Sequence, residues 1–384
     1  MDRPSSDRRE LLKVSGAALA AACLAPSVRA ATSVSAGAAF GKRKTQRVVV
    51  VAFAGGVRTR ETLGTPDNVP NLRALAAEGV VYPRARTSNL GHYGAALSMF
   101  TGVAEQKGIR ENVRGEDPTL FEILRKDGGL AAGDVWLATS GGAQQVNYSY
   151  GTHREYGARY GASTLDGDGI FNRRFQDLLR SFGKSAEASE SEARVLARLR
   201  GSLDRRDAER QATADAVERY VRDELARGTA DLTGANASDA KALRCARNIL
   251  ALLKPRLVAV VLQDADTAHG SFGGYVEVIR RNDAMLGELV AAVKADPDLA
   301  DSTAILVCPE FGRDKDLNSR RGLDHGDGSD DLVYVSCVAW GPDFRRGAVV
   351  SEDVRVIDVA PTVCDLFGVK ARSAAGKKLP GLLV

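Results

Sequence analysis

Short, continuous apolar runs alternate along this chain with amphipathic stretches, and most runs end in glycine or in acidic residues. The first, Arg47 to Phe53, is Val-rich and lacks polar alternation, which predicts a strand buried on both faces of a parallel sheet. It leads into Ala54-Gly55-Gly56-Val57-Arg58, where the glycines leave room for close backbone approach. Asn68-Val69-Pro70-Asn71 then opens a helix carrying Leu72, Leu75 and Ala76, which Gly79 closes before a short strand at Val80-Val81-Tyr82. A polar segment from Arg84 to Asn89 passes through Gly91-His92-Tyr93 into a helix from Ala95 to Phe100, ended by Thr101-Gly102.

Further on, the pattern predicts a helix around Leu120 to Leu124, a strand from Asp134 to Ala138, and a polar loop in which His153 is read as a surface residue. From Lys184 to about Gly228 the composition turns to Ala, Glu and Arg with a narrow apolar stripe, as expected of helices on the outside of a domain. This defines a helical insertion at about 181–245. A helix from Asp239 to Leu253, a strand from Arg256 to Leu262, the acidic loop Gln263 to Gly270 and a long helix from Tyr275 to Lys294 follow. The motif then recurs: strand Ala304 to Cys308, acidic segment, apolar run Leu332 to Trp340. Such alternation predicts an α/β fold with a central, mostly parallel sheet between helices, over residues 46–384.

The first thirty residues form a separate object. Arg8-Arg9 precedes a weakly apolar Ala/Gly stretch ending at Val28-Arg29-Ala30, a pattern that resembles a bacterial twin-arginine export signal. The expectation is recognition by the twin-arginine translocase, cleavage before Ala31, a linker over residues 31–45, and a periplasmic or secreted protein with no transmembrane segment in the mature chain. Lipid anchoring at Cys23, within Ala20-Ala21-Ala22-Cys23, is the alternative. The chain of 384 residues carries a net charge of +4, and the signal takes five basic and three acidic residues with it, leaving a nearly neutral protein with no nucleic-acid signature. Four cysteines remain, Cys245, Cys308, Cys337 and Cys364, expected as buried thiols, although an oxidising compartment would permit one disulfide.

Candidate chemistry gathers beyond the strand ends. Pro309-Glu310-Phe311-Gly312-Arg313-Asp314 and Leu323-Asp324-His325-Gly326 supply acids and an imidazole on Gly-rich backbone, as a site for a cation and an anionic substrate requires. Gln263-Asp264-Ala265-Asp266-Thr267-Ala268-His269 adds a second such group. Thr87 and Ser88, hydroxyls before a helix start, suit an oxyanion or a nucleophile, or else plain helix capping.

Taken in order, Pro70-Asn71-Leu72, Thr101-Gly102, Asp266 to Gly270 with Asp283, Glu310-Phe311-Gly312-Arg313, Asp324-His325, Trp340-Gly341-Pro342 and Asp358-Val359-Ala360-Pro361-Thr362 resemble the alkaline phosphatase superfamily. The resemblance extends to a bacterial branch with twin-arginine signals. It implies two divalent metals, zinc or a mixture, flanking a nucleophile. Carried over, it gives a first metal on Asp266, His269 and His325, with Asp264 still open because the spacing to His269 is short. The second site has Gly55-Gly56 and Phe311 where ligands are implied, leaving Glu310, with Thr87, Asp314, Asp324 or water to fill in, so one zinc site is expected rather than two. The nucleophile is Thr87, then Ser88, with His92 as an alternative ligand or base, and Arg58 or Arg313 would neutralise the anion. The absence of Cys-x-Pro/Ala-x-Arg speaks against a formylglycine sulfatase. The implied function is an exported, metal-dependent hydrolase of phosphate or sulfate esters. The alternatives are a catalytically degenerate relative acting in periplasmic binding or assembly, and last a mutase.

Overall fold

The computed structural model describes residues 43–106, 113–140, 145–166 and 232–384. The expected export signal, most of the linker and the insertion as far as residue 231 lie outside them.

Among the described residues nine strands form one sheet: β1 Arg47–Ala52, β2 Val80–Arg86, β3 Val135–Thr139, β4 Ser163–Asp166, β5 Leu257–Val261, β6 Thr303–Cys308, β7 Tyr334–Trp340, β8 Ala348–Val349 and β9 Val354–Arg355. Their order is β4-β3-β5-β1-β6-β7-β2-β8, with β9 also on β2. Only β7 runs against its neighbours β6 and β2, so the sheet is mostly parallel. The helices are α1 Pro70–Glu78, α2 His92–Thr101, α3 Leu120–Lys126, α4 Ser238–Leu253, α5 Phe272–Ala295, α6 Pro297–Ala300, α7 Asp330–Val333 and α8 Val359–Leu366.

The unbroken apolar run of β1 has its physical reason here. Val48, Val50 and Ala52 point into one core, with Phe100 of α2, Phe121 of α3 and Val363 of α8. Val49 and Val51 point into the other, with Ile249 of α4 and Val278, Leu286 and Leu289 of α5. Each side chain on this strand is therefore removed from water. Because β5 and β6 flank β1 on either side and run parallel to it, the carboxyl ends of all three open on one edge. There the loops that follow these strands, 53–58, 262–270 and 309–314, meet, at the end of an open α/β sheet where ligands bind.

Three expectations change. α4 lines the second core through Leu243, Ala246 and Leu250, so residues 238–245 are part of the main body and not of a peripheral insertion. β2 runs on to Arg86 past an irregularity between Tyr82 and Ala85 around Pro83, which has no N–H for the ladder. Cys308 and Cys337 face each other across β6 and β7 and are disulfide-bonded, while Cys245 and Cys364 are buried outside that bond, as expected of all four. No helix among the described residues is long and apolar enough to cross a membrane.

Candidate metal centre

After β5 the chain makes a 3-10 turn, Asp264–His269. With three residues per turn, Ala265 and Ala268 share the face that enters the core, while Asp266 and His269 share another and point into the crevice. The short Asp266–His269 spacing thus suits this turn. Asp264 turns away and accepts from the Asp239 amide at 2.9 Å.

The loop after β6 brings Glu310, fully buried, beside α2. Gly55 and Gly56, both left-handed at φ 89° and 71°, donate their amides to Glu310 Oε1 at 2.8 and 3.0 Å, two successive N–H groups cradling one carboxylate oxygen. The same oxygen lies 3.0 Å from Nδ1 of His92, the first residue of α2. His92 Nε2 lies 2.9 Å from Asp266 Oδ1 but is not aligned to donate to it, so this buried nitrogen has no hydrogen-bond partner. His325 completes the group, its ring 4.9 Å from His92 and 5.0 Å from His269. One ligand atom from each of His92, Asp266, His269 and His325 lies within 4.8 Å of the others.

Three imidazoles and a carboxylate drawn from two loops and a helix start could hold a divalent metal ion, and this nitrogen and oxygen donor set suits zinc. The lone buried nitrogen of His92 fits that reading. Outside the donors lies a supporting layer. Asp324 Oδ1 is 2.6 Å from His269 Nδ1, as Glu310 is from His92 at 3.0 Å, and each carboxylate fixes a ring so that its other nitrogen faces the cluster. Glu310 and Asp324, expected as ligands, lie outside the cluster and instead hydrogen-bond the imidazoles that could ligate. Phe311 packs against the His92 and His325 rings at 4.8 and 5.2 Å, an apolar wall to the site.

Arg313 is wholly buried and enters the same space. Its Nη2 donates to Asp266 Oδ1 at 2.6 Å and also to the Gly55 carbonyl, while Nη1 lies 3.0 Å from His269 Nε2. That nitrogen is one a metal would need, so the guanidinium and an ion compete for His269. Arg58, expected to neutralise the anion, is instead buried, pairing with Glu61 at 2.6 and 2.7 Å and donating to the carbonyls of Asp314 and Lys315. Thr87 Oγ1 donates to the carbonyls of Glu310 and Asn89 at 2.7 and 2.8 Å, bracing the loop. Ser88 beside it is half-buried and makes no side-chain hydrogen bond among the described residues. Asp314 binds the amides of Gly326 and Asp327 and is likewise taken up by its own loop.

Electrostatics divide the imidazoles. Burial opposes a charge on His92, but Asp266 and Glu310 on either side outweigh it and raise its pKa. Burial pushes His325 down to about 4, helped by the neighbouring positive charges of His92 and Arg313, so at neutral pH it keeps a free lone pair. Burial also opposes the charge of Asp266, yet His92 and Arg313 hold it well below the usual carboxylate range.

The mostly parallel sheet with helices on both faces has the fold of solved members of the alkaline phosphatase superfamily, and at the carboxyl ends of β1, β5 and β6 it carries a His/Asp cluster that could hold a cation. Wild type alkaline phosphatase PafA matches over 90% of this chain and 100% of its own, with a TM-score of 0.58 at 9% identity. A putative sulfatase from Bacteroides thetaiotaomicron covers 88% of this chain and 74% of its own, at a TM-score of 0.55 and 11% identity. A protein in the alkaline phosphatase superfamily from Vibrio parahaemolyticus covers 90% and 72%, at 0.50 and 13%. No protein-family model and no curated protein matches the sequence.

Proposed function

We propose that this protein is an exported hydrolase of phosphate or sulfate esters that works with one divalent cation, zinc by preference. The observation that carries the reading is the convergence of His92, Asp266, His269 and His325 within 4.8 Å, beside a buried guanidinium. A cation bound by these residues would polarise an ester oxygen and favour attack by water. Arg313 supplies a second, fixed positive charge, on the side where the superfamily resemblance implies a second metal. Planar and always protonated, it can turn an N–H from His269 towards an anionic oxygen while keeping Asp266. Glu310 and Asp324 hold the imidazoles in one tautomer, so the site need not reorganise when charge develops. Water is preferred to Thr87 as nucleophile because the Thr87 hydroxyl is engaged by two backbone carbonyls.

The test is elemental analysis of the purified protein together with turnover of phosphomonoester, phosphodiester and sulfate ester substrates. One zinc equivalent per chain, with turnover lost in His269→Ala, is expected. A metal-loaded protein that turns over none of the panel would overturn the reading. That outcome would favour a binding or assembly protein, a second reading motivated by Gly55 and Phe311 at positions where ligands are implied. Export rests on Arg8-Arg9, and Arg8→Lys with Arg9→Lys should leave the protein in the cytoplasm; unchanged export would remove this part of the proposal.

A further inference from the structure

At the far end of α2 from His92, a second feature has no part in the chemistry above. The helix is ten residues long, which sets its two ends about 15 Å apart. Gly102, at its end, accepts the amides of Ala375 and Gly376, and the chain around these residues forms one wall of an open cleft of about 970 Å³ below the C-terminus of α8. The cleft is lined by Arg43, Lys370, Arg372, Lys377 and Lys378 and by one carboxylate, Asp365.

The single carboxylate is used up. Asp365 Oδ2 pairs with Arg43 Nη2 at 2.9 Å and Oδ1 with Lys378 Nζ at 3.3 Å. Lys370, Arg372 and Lys377 are exposed, and their side chains have no hydrogen bond or ion pair among the described residues. Cations near a helix C-terminus are often explained by its unsatisfied carbonyls. Here the amides of Phe367, Gly368 and Val369 already serve Cys364 and Asp365, and only Arg43 adds to them. Three unpaired cations thus face a concave space in a protein whose overall charge is small, and like charges held together without a counter-charge favour an anion between them.

We propose that this cleft is a docking site for a soluble multivalent oxyanion, a molecule bearing two or more sulfate or phosphate groups, such as a segment of a sulfated or phosphorylated polymer. A membrane surface fits less well. Binding to lipid uses a flat or convex face with exposed apolar anchors, and none of the exposed large hydrophobic residues, such as Leu317, Val349 or Leu383, lines this cleft. Docking is independent of the metal cluster, so either can fail without the other.

The experiment measures binding of tripolyphosphate and of a fluorescent heparin hexasaccharide to the full chain by calorimetry and anisotropy. Three proteins are compared: wild type, Lys370→Ala/Arg372→Ala/Lys377→Ala, and Arg73→Ala/Arg86→Ala/Arg346→Ala, which removes three exposed cations elsewhere. The expected result is salt-sensitive binding by wild type and by the second variant, weakened about tenfold or more in the first, with unchanged melting temperature and small-ester turnover. Equal loss in both variants, or no binding of either probe by wild type, would overturn the proposal. So would cosedimentation with vesicles of equal parts phosphatidylglycerol and phosphatidylcholine in the absence of binding to the soluble probes.

Discussion

Arg313 Nη2 and Asp266 Oδ1 meet at 2.6 Å, the guanidinium fully buried and the carboxylate side chain 38% exposed. The pair places a permanent positive charge against a group that a metal ion would also claim. Removing the arginine leaves Asp266 facing the imidazoles of His92 and His269, at 2.9 and 3.3 Å. Arg313→Met should cost about 2 kcal/mol in the metal-free protein, less than for a wholly buried pair because water reaches Asp266. Zinc should recover most of the loss by taking over the charge. Urea unfolding with and without zinc measures both, and a variant as stable as wild type without metal would contradict the assignment.

Metal binding should strengthen as pH rises across the range from about 5 to about 8. His92 has a raised pKa, so at the lower end it carries a proton that zinc must displace. In the metal-free protein the sign is the reverse: stabilisation by the charged ring is fully present below the unfolded value, about 6.5, and is lost as pH rises through the folded one. Zinc titrations and metal-free melts at stepped pH check the two halves. An affinity independent of pH would count against His92 as a ligand.

Behind the site, Asp239 is fully buried among the amides of Gln263 and Asp264 and the side chain of Asn282. Burial, with the charge of Asp264 nearby, pushes it up to about 7. A carboxyl that keeps its proton longer in the folded state lowers stability as pH rises from its ordinary value towards 7. Asp239→Asn should flatten that slope. Because its amide group cannot accept from three donors, it should also lower stability by about 1–3 kcal/mol throughout. An unchanged slope would show that another group controls it.

The bond between Cys308 and Cys337, 29 residues apart, closes the loop that carries Glu310, Arg313 and His325. Reduction should destabilise the protein by about 3 kcal/mol through the freed loop. Alkylation of the unreduced, denatured mature chain should label Cys245 and Cys364 alone. Labelling of all four would remove the bond.

Much of this arrangement could be read along the chain. The double-sided run of β1, the acidic loops after β5 and β6, and the group Asp266, His269 and His325 all follow from local pattern and resemblance. What escaped depended on contacts between distant segments. α2 is buried on every side, so no amphipathic stripe showed that it begins at His92. Arg58 has its partner three residues away, and that local Arg58–Glu61 pair was a signal against a free cation. Asp324 and His325 are neighbours in sequence, and only the fold separates their tasks, one steadying His269 and the other joining the cluster. The pairing of Cys308 with Cys337 follows from the register of β6 on β7, which composition does not reveal.

The two glycines beneath Glu310 also limit which substitutions this site can take. A side chain at Gly55 would meet the Gln263 carbonyl at 2.7 Å with φ at +89°, so a carboxylate cannot be introduced there without moving the backbone. It would also disturb the amides that hold Glu310. Adding a carboxylate ligand at this strand end would therefore take several coordinated substitutions.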